Sequence, residues 1–93
     1  MEFANFKTVV KEEIERRIGE EYTVRVTSVV KNNGVVRNGV IIMRDDTNLC
    51  PTIYVDEFYE LYENGDVSLN YVVNEIVDIV ASYSIYILYM EQM

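Results

Sequence analysis

The chain of 93 residues contains no histidine, so the commonest general base and the commonest metal ligand of proteins are both missing. A Ser/His/Asp triad and a Cys/His pair are therefore excluded. The single cysteine, Cys50, cannot form an internal disulfide, and we expect the nearby Asp45 and Asp46 to raise its pKa. We predict a non-enzymatic protein that needs no cofactor and no metal, with Cys50 as a buried or incidental thiol.

Glycine is scarce, and the four glycines are scattered rather than gathered into a phosphate-binding loop. Long apolar runs are also missing: the most apolar stretch, Ile85 to Met90, is far below the approximately 20 residues that span a bilayer. The N-terminus lacks the charged and apolar blocks of a signal peptide. These absences predict a cytoplasmic protein with no membrane anchor.

Positive charge is absent from the second half of the chain. All eight Lys and Arg residues precede residue 45, and the 49 residues that follow carry ten Asp and Glu and seven of the eight tyrosines. The net charge of −8 makes direct nucleic-acid binding unexpected. A basic strip on the predicted hairpin is interpreted as edge protection; its members are Arg25, Lys31, Arg37 and Arg44. A one-sided acidic, tyrosine-rich region indicates a binding protein.

Residues 3 to 18 carry an apolar side chain every three or four positions, which predicts an amphipathic helix. Glu12 with Arg16 and Glu13 with Arg17 are predicted ion pairs on its outer face. The apolar stripe consists of Phe3, Phe6, Val10, Ile14 and Ile18.

Alternating polarity predicts a strand from Tyr22 to Lys31. Residues 32 to 34, Asn-Asn-Gly, tolerate positive φ and predict a tight turn into a second strand, Val35 to Met43. Gly39 within that strand predicts a bulge or a close backbone approach. The run Pro51 to Val55 predicts a third strand beside the second, after a polar loop.

Asp56 is the predicted N-cap of a short helix that stops at Gly65, and Ser68 is the predicted N-cap of the last helix. Residues 85 to 90 are β-branched and aromatic, so a strand is an alternative there, but nothing before them breaks a helix. The sequence predicts one α+β domain over residues 1–93. Its order is an N-terminal helix, a three-stranded antiparallel sheet, a short helix and a long C-terminal helix.

The turn at residues 31 to 34, Gly39, and the run Pro51-Thr52-Ile53-Tyr54 leading into Phe58-Tyr59 and Tyr62 together resemble an uncharacterised family. The family is common in gut-dwelling Gram-positive bacteria and their mobile elements and is known only as a domain of unknown function. The resemblance covers most of the chain as an N-terminal module. Longer members continue after this module, whereas this chain stops at Met93. The resemblance implies no activity.

Two regions of the second half are candidate partner-binding surfaces. The short helix carries carboxylates that could act as acid and base, but their helical spacing is typical of a solvent face. Near the C-terminus, tyrosines recur every three residues among aliphatic side chains, which favours self-association or partner docking over an end tucked into its own fold. The predicted binding residues are Asp56, Glu57, Tyr59, Glu60, Glu63, Tyr83, Tyr86, Leu88 and Tyr89.

Two functions fit this pattern. The first is a small acidic protein-interaction module that binds a protein partner and forms a homodimer through its last helix. The second is a phage or mobile-element inhibitor of a defence nuclease, of the anti-CRISPR type, whose acidic half mimics a nucleic acid.

Overall fold

A computed structural model describes the backbone of residues 1–91 and the side chains of residues 1–83. In this part of the chain, three helices and four strands form the predicted α+β arrangement. The elements are α1 (Phe3–Ile18), β1 (Thr23–Val30), β2 (Val36–Arg44), β3 (Thr47–Asn48), β4 (Ile53–Tyr54), α2 (Asp56–Glu63) and α3 (Leu69–Glu91).

The sheet is antiparallel, and β2 is its central strand. Strand β1 pairs with the full length of β2, with Val24 opposite Ile42 and Val30 opposite Val36. On the other side of β2, β4 pairs near Gly39 and β3 pairs near Arg44. The third main strand is therefore confirmed, although its ladder is only two residues long.

Strand β3 lies where the sequence predicted only a polar loop. Asp45 and Asp46 form the two-residue connection from β2 to β3, with φ values of 51° and 63°. Positive φ at both central residues is typical of a type I′ hairpin turn. The usual sequence signal for that turn contains glycine, so an Asp-Asp pair does not predict the turn.

The core lies between one face of the sheet and the two long helices. Its fully buried side chains belong to α1, β1, β2 and α3 and to Val55, which precedes α2. Helix α2 itself contributes none of them. On α3 the last buried side chain among the described residues is Val80. The most completely buried side chains are Phe6, Val10, Ile14, Val24, Val40, Ile42, Val55, Val72, Val73 and Ile76.

The two predicted helix caps have different outcomes. Ser68 is confirmed, because its Oγ accepts a hydrogen bond of 3.0 Å from the Tyr71 backbone N–H. The Asp56 cap is wrong: Val55 occupies the N-cap position of α2 without a side-chain cap bond, and Asp56 is the first helical residue. Its carboxylate turns instead toward Asn38 of β2. At the C-terminal end, α3 continues through residues 85–90, so the prediction of a helix rather than a strand is confirmed there.

The close backbone approach predicted at Gly39 is confirmed. A Cβ atom on this residue would lie 2.6 Å from Thr52 Cγ2 and 2.9 Å from the Ile53 carbonyl oxygen. Real Cβ atoms do not tolerate such distances, so only glycine lets β4 dock on β2 at this point.

Replacing Gly39 with Ala is expected to lower the free energy of unfolding by about 1–3 kcal/mol, because the added methyl group pushes β4 from β2. Urea denaturation checks this. Thr52→Ser removes Cγ2, one of the two clashing atoms. Gly39→Ala is therefore expected to lower the free energy of unfolding less in a Thr52→Ser background than in the original chain. A Gly39→Ala protein as stable as the original chain would contradict the close approach.

Candidate protein-interaction surfaces

The carboxylates of α2 do not form one cluster. Glu57 and Glu60 are exposed and lie three residues apart, so they share one face of the helix. Glu63 is also exposed, but its Oε1 lies 3.1 Å from the α-amino group of Met1. Asp56 is half-buried and bonds to Asn38 of β2. The acidic α2 face, defined here as Glu57 and Glu60, is thus the part of the predicted acidic surface that remains available for a partner.

Asp56 has a structural role. Its carboxylate accepts hydrogen bonds from the Asn38 backbone N–H (2.9 Å) and from Asn38 Nδ2 (3.0 Å). Burial by itself raises the pKa of Asp56, but the Asn38 hydrogen bonds and the nearby Arg37 charge outweigh it, so the pKa is lowered. Asp56 therefore does not share a site with Glu60 and Glu63 in which these carboxylates could act as acid and base.

Asn38 collects side chains from three elements. Its Oδ1 accepts hydrogen bonds from Lys7 Nζ of α1 (3.1 Å) and from Ser28 Oγ of β1 (2.9 Å). Together with Asp56 of α2, these contacts form what we call the Asn38 network: Lys7, Ser28, Asn38 and Asp56. No sequence pattern predicts this network, because its members are separated by up to 49 positions (7 to 56).

Tyr59, predicted to bind a partner, contacts its own chain. Its ring stacks on Phe3, with centroids 4.5 Å apart and planes 8° from parallel, and lies 5.0 Å from the Phe6 ring. Its hydroxyl donates a hydrogen bond of 2.7 Å to the Met1 carbonyl oxygen. These contacts attach α2 to the start of α1 and leave little of Tyr59 for a partner.

Arg17 joins α1 to α3. Its guanidinium donates hydrogen bonds to Asn70 Oδ1, at 2.6 Å, and to Asn74 Oδ1. The predicted Glu13–Arg17 pair is therefore wrong, and Arg16 pairs with Glu13 rather than with Glu12. Long-range amide partners on a neighbouring helix cannot be read from i,i+4 spacing.

Two shallow clefts of about 270 Å³ each flank Arg17 along the α1 and α3 contact. Their linings are mostly apolar, and among the described residues no group of three or more His, Cys, Asp or Glu side chains converges as a metal site. The side chains lining one cleft are Arg17, Ile18, Tyr22, Val77, Val80 and Ala81. Glu13 lines the other cleft, and its carboxylate is paired with Arg16.

Cys50 is 6% exposed, and burial raises the pKa of its thiol. A thiol with a raised pKa stays protonated at neutral pH and is a poor nucleophile. The predicted buried thiol is confirmed, but the cause is burial rather than the charges of Asp45 and Asp46.

After Val80, no side chain of α3 that the structure describes is buried. Ala81, Ser82 and Tyr83 are all exposed, with Tyr83 at 39%, and the helix continues to Glu91. We call residues 81–91 the α3 arm. The predicted binding residues Tyr86, Leu88 and Tyr89 belong to it, and their side chains lie outside the described residues. Among the helices that were searched, none combines the length and the apolar character required for crossing a bilayer.

The sequence prediction overlooked the far end of the hairpin. Val30, Val35 and Val36 are 69%, 53% and 50% exposed there, past the Asn38 network. The alternating pattern predicted that one strand face is buried, and it is buried only as far as the helices reach. The sequence signal for this exposure was the length of the predicted strands relative to the length of the predicted helices.

These features define a small α+β protein. The chain belongs to a family of unknown function, DUF5688, whose model matches residues 3–91. No curated protein and no solved structure matches the chain. The resemblance noted in the sequence is therefore confirmed at the level of an uncharacterised family.

Asp56→Asn is expected to lower the free energy of unfolding by on the order of 1–2 kcal/mol at neutral pH, because two hydrogen bonds lose their charged acceptor. The folded pKa lies below the unfolded value of about 3.9, so the wild-type advantage is full above that value. It is lost as the pH falls through the folded pKa.

Urea denaturation of both proteins at pH 7 and near pH 3 measures this difference. Glu57→Gln, an equal charge change in the same helix turn without a β2 partner, is the control. A difference between Asp56→Asn and wild type that stays constant with pH would contradict the role of the charged carboxylate.

Proposed function

We propose that this chain is a non-enzymatic acidic protein-interaction module that forms a homodimer through the α3 arm. The observation that supports the proposal is the exposure of three consecutive residues, Ala81, Ser82 and Tyr83. At 3.6 residues per turn they are spread over about 200° of the helix circumference. A helix exposed on so many sides has left its own core, yet α3 continues for eleven residues after Val80 to Glu91.

The composition of the arm supports association with a second copy. Residues 79–90 contain no charged side chain, although the whole chain has a net charge of −8. Two copies can therefore bring these segments together without placing like charges in the contact. Tyrosine, methionine and aliphatic residues are typical of the centres of protein interfaces. A twofold axis across the arm would bury the same segment of both copies.

Sedimentation equilibrium of the purified chain is expected to show a dimer. Leu88→Asp and Tyr86→Asp each place a charge in the apolar segment, and we expect at least about tenfold weaker dimerisation, corresponding to about 1.4 kcal/mol. Tyr71→Asp is the matched control, since it makes the same change on the first turn of the same helix at a side chain that is 46% exposed. A wild-type chain that remains monomeric at its highest soluble concentration would contradict the proposal.

The acidic α2 face supports a second candidate function, that of a nuclease inhibitor. Glu57 and Glu60 are exposed, and no lysine or arginine follows Arg44 in the sequence. Uncompensated carboxylates on a rigid helix can occupy a basic groove that normally holds phosphates. In this proposal the protein is encoded by a phage or mobile element of gut Gram-positive bacteria and acts in the host cytoplasm on a defence nuclease of the CRISPR type.

For the inhibitor, binding to such a nuclease is expected to weaken about tenfold in the double variant Glu57→Gln, Glu60→Gln, and to weaken as salt is raised. The matched control is Glu12→Gln with Glu20→Gln, the same charge change on exposed carboxylates of the N-terminal half. Calorimetric titration measures both. Equal effects of the two pairs, or binding that does not respond to salt, would argue against a mimic.

A further inference from the structure

Strand β1 lies at the edge of the sheet, with β2 as its only strand neighbour among the described residues. The hydrogen bond from Lys31 N to Val35 O, 2.9 Å long, identifies Lys31 and Val35 as a hydrogen-bonded pair of the ladder. Such pairs alternate along an antiparallel ladder. The backbone groups of Val24, Val26, Ser28 and Val30 therefore point away from β2.

The far side of β2 confirms this alternation. Asn38 lies opposite Ser28, and Ile42 lies opposite Val24. The carbonyl oxygen of Asn38 accepts a hydrogen bond from Val55 N, and that of Ile42 accepts one from Leu49 N. Both donors lie outside the β1 and β2 ladder. In β1 the equivalent groups have no such partner: within the described part of the chain, no hydrogen bond reaches them. An unpaired edge of eight residues, about 26 Å long, is a template for another strand.

The charge around this edge is opposite to that of the whole protein. Residues 22–44 contain four cations and no acidic side chain, in a chain of net charge −8. Arg25 and Lys31 are exposed and belong to the edge strand or follow it directly. Lys31 and Arg37 also lie over the Tyr54 ring, with Nζ and Cζ at 5.2 and 4.2 Å from its centroid.

The two faces of the edge differ in chemistry. Arg25 and Lys31 have the same parity along the strand, so they lie on the sheet face opposite the helices. Val26 and Val30 lie on the helix-facing side, where they are 37% and 69% exposed because the helices do not reach that far. A strand that paired with β1 would thus meet cations on one face and valines on the other.

We infer that the β1 edge binds an extended segment of a partner protein in which acidic and apolar side chains alternate. The backbone of that segment pairs with β1, its carboxylates face Arg25 and Lys31, and its apolar side chains cover Val26 and Val30. This surface is separate from the α3 arm, so the inference does not rest on the proposed dimer.

Charge complementarity selects this occupant over a second copy and over a nucleic acid. Antiparallel pairing of two β1 strands would place the cations of both copies together without a carboxylate, which is destabilising. A phosphate backbone has no amide groups for the free ladder and no apolar side chains for Val26 and Val30. The aromatic ring nearest to the cations, Tyr54, already carries Arg37 on its face.

The binding experiment uses the full chain and a fluorescently labelled peptide that alternates glutamate and valine over the length of β1. Fluorescence anisotropy is expected to show binding that weakens as salt is raised. A peptide that alternates glutamine and valine is expected to bind about tenfold more weakly. Equal binding of the two peptides, or tighter binding of a labelled oligothymidylate, would overturn the inference.

The backbone pairing is tested at Ser28, whose N–H points to the free edge. Ser28→Pro removes that donor without removing a bond to β2, and we expect about five- to tenfold weaker peptide binding. Ser28→Ala is the control, because it also loses the hydroxyl contact with Asn38 but keeps the N–H. Equal peptide binding by the two folded variants would overturn strand pairing.

The charge contact has its own test, which holds even where proline disturbs the sheet. Arg25→Gln with Lys31→Gln is expected to weaken peptide binding about tenfold, whereas Lys11→Gln with Arg16→Gln makes the same charge change on α1 and is expected to have little effect. Equal loss in both pairs would overturn a specific site. Leu88→Asp, which addresses the dimer, is expected to leave peptide binding unchanged, so the two proposals fail independently.

Discussion

One amide side chain, Asn38, connects the start of α2 to α1 and to the sheet. Helix α2 contributes no fully buried side chain to the core, so apolar burial holds it less firmly than it holds α1 and α3. Hydrogen bonds from Asn38 to the Asp56 carboxylate fix its first residue, and the stack of Tyr59 on Phe3 fixes its middle. The same amide oxygen accepts bonds from Lys7 and Ser28, so α1, β1, β2 and α2 meet at one residue.

Folding compensates only part of the charge segregation along the chain. The Met1 amino group pairs with Glu63, and Arg37 lies near enough to Asp56 to lower its pKa. Glu57 and Glu60 keep their exposure, and the hairpin keeps Arg25 and Lys31 at a free edge. The protein therefore presents an acidic helix and a basic strand on one small domain. Each sign of charge has its own place in the fold.

Two elements extend past the core for the same physical reason, which is a difference in length. Helix α3 has 23 residues and α1 has 16, and the described side chains that follow Val80 on α3 are exposed. The hairpin likewise continues beyond the helices, where Val30 and Val36 remain exposed. Exposed apolar surface of this kind costs free energy in water and is stabilised by a partner.

The sequence by itself determined the elements that depend on local pattern. Apolar periodicity predicted α1 and α3, alternation predicted the β1 and β2 hairpin, and Gly39 marked the close approach of β4, because each of these signals acts between near neighbours or on the backbone itself. Tertiary structure alone decided the partners of polar side chains. Arg17 bonds to amides of α3 rather than to Glu13, Asp56 bonds to Asn38 rather than to its own helix, and Tyr59 packs inward on Phe3. Such partners are chosen by elements that meet only after folding, and the free edge of β1 and the exposed turn at Ala81 exist only because neighbouring elements end before they do.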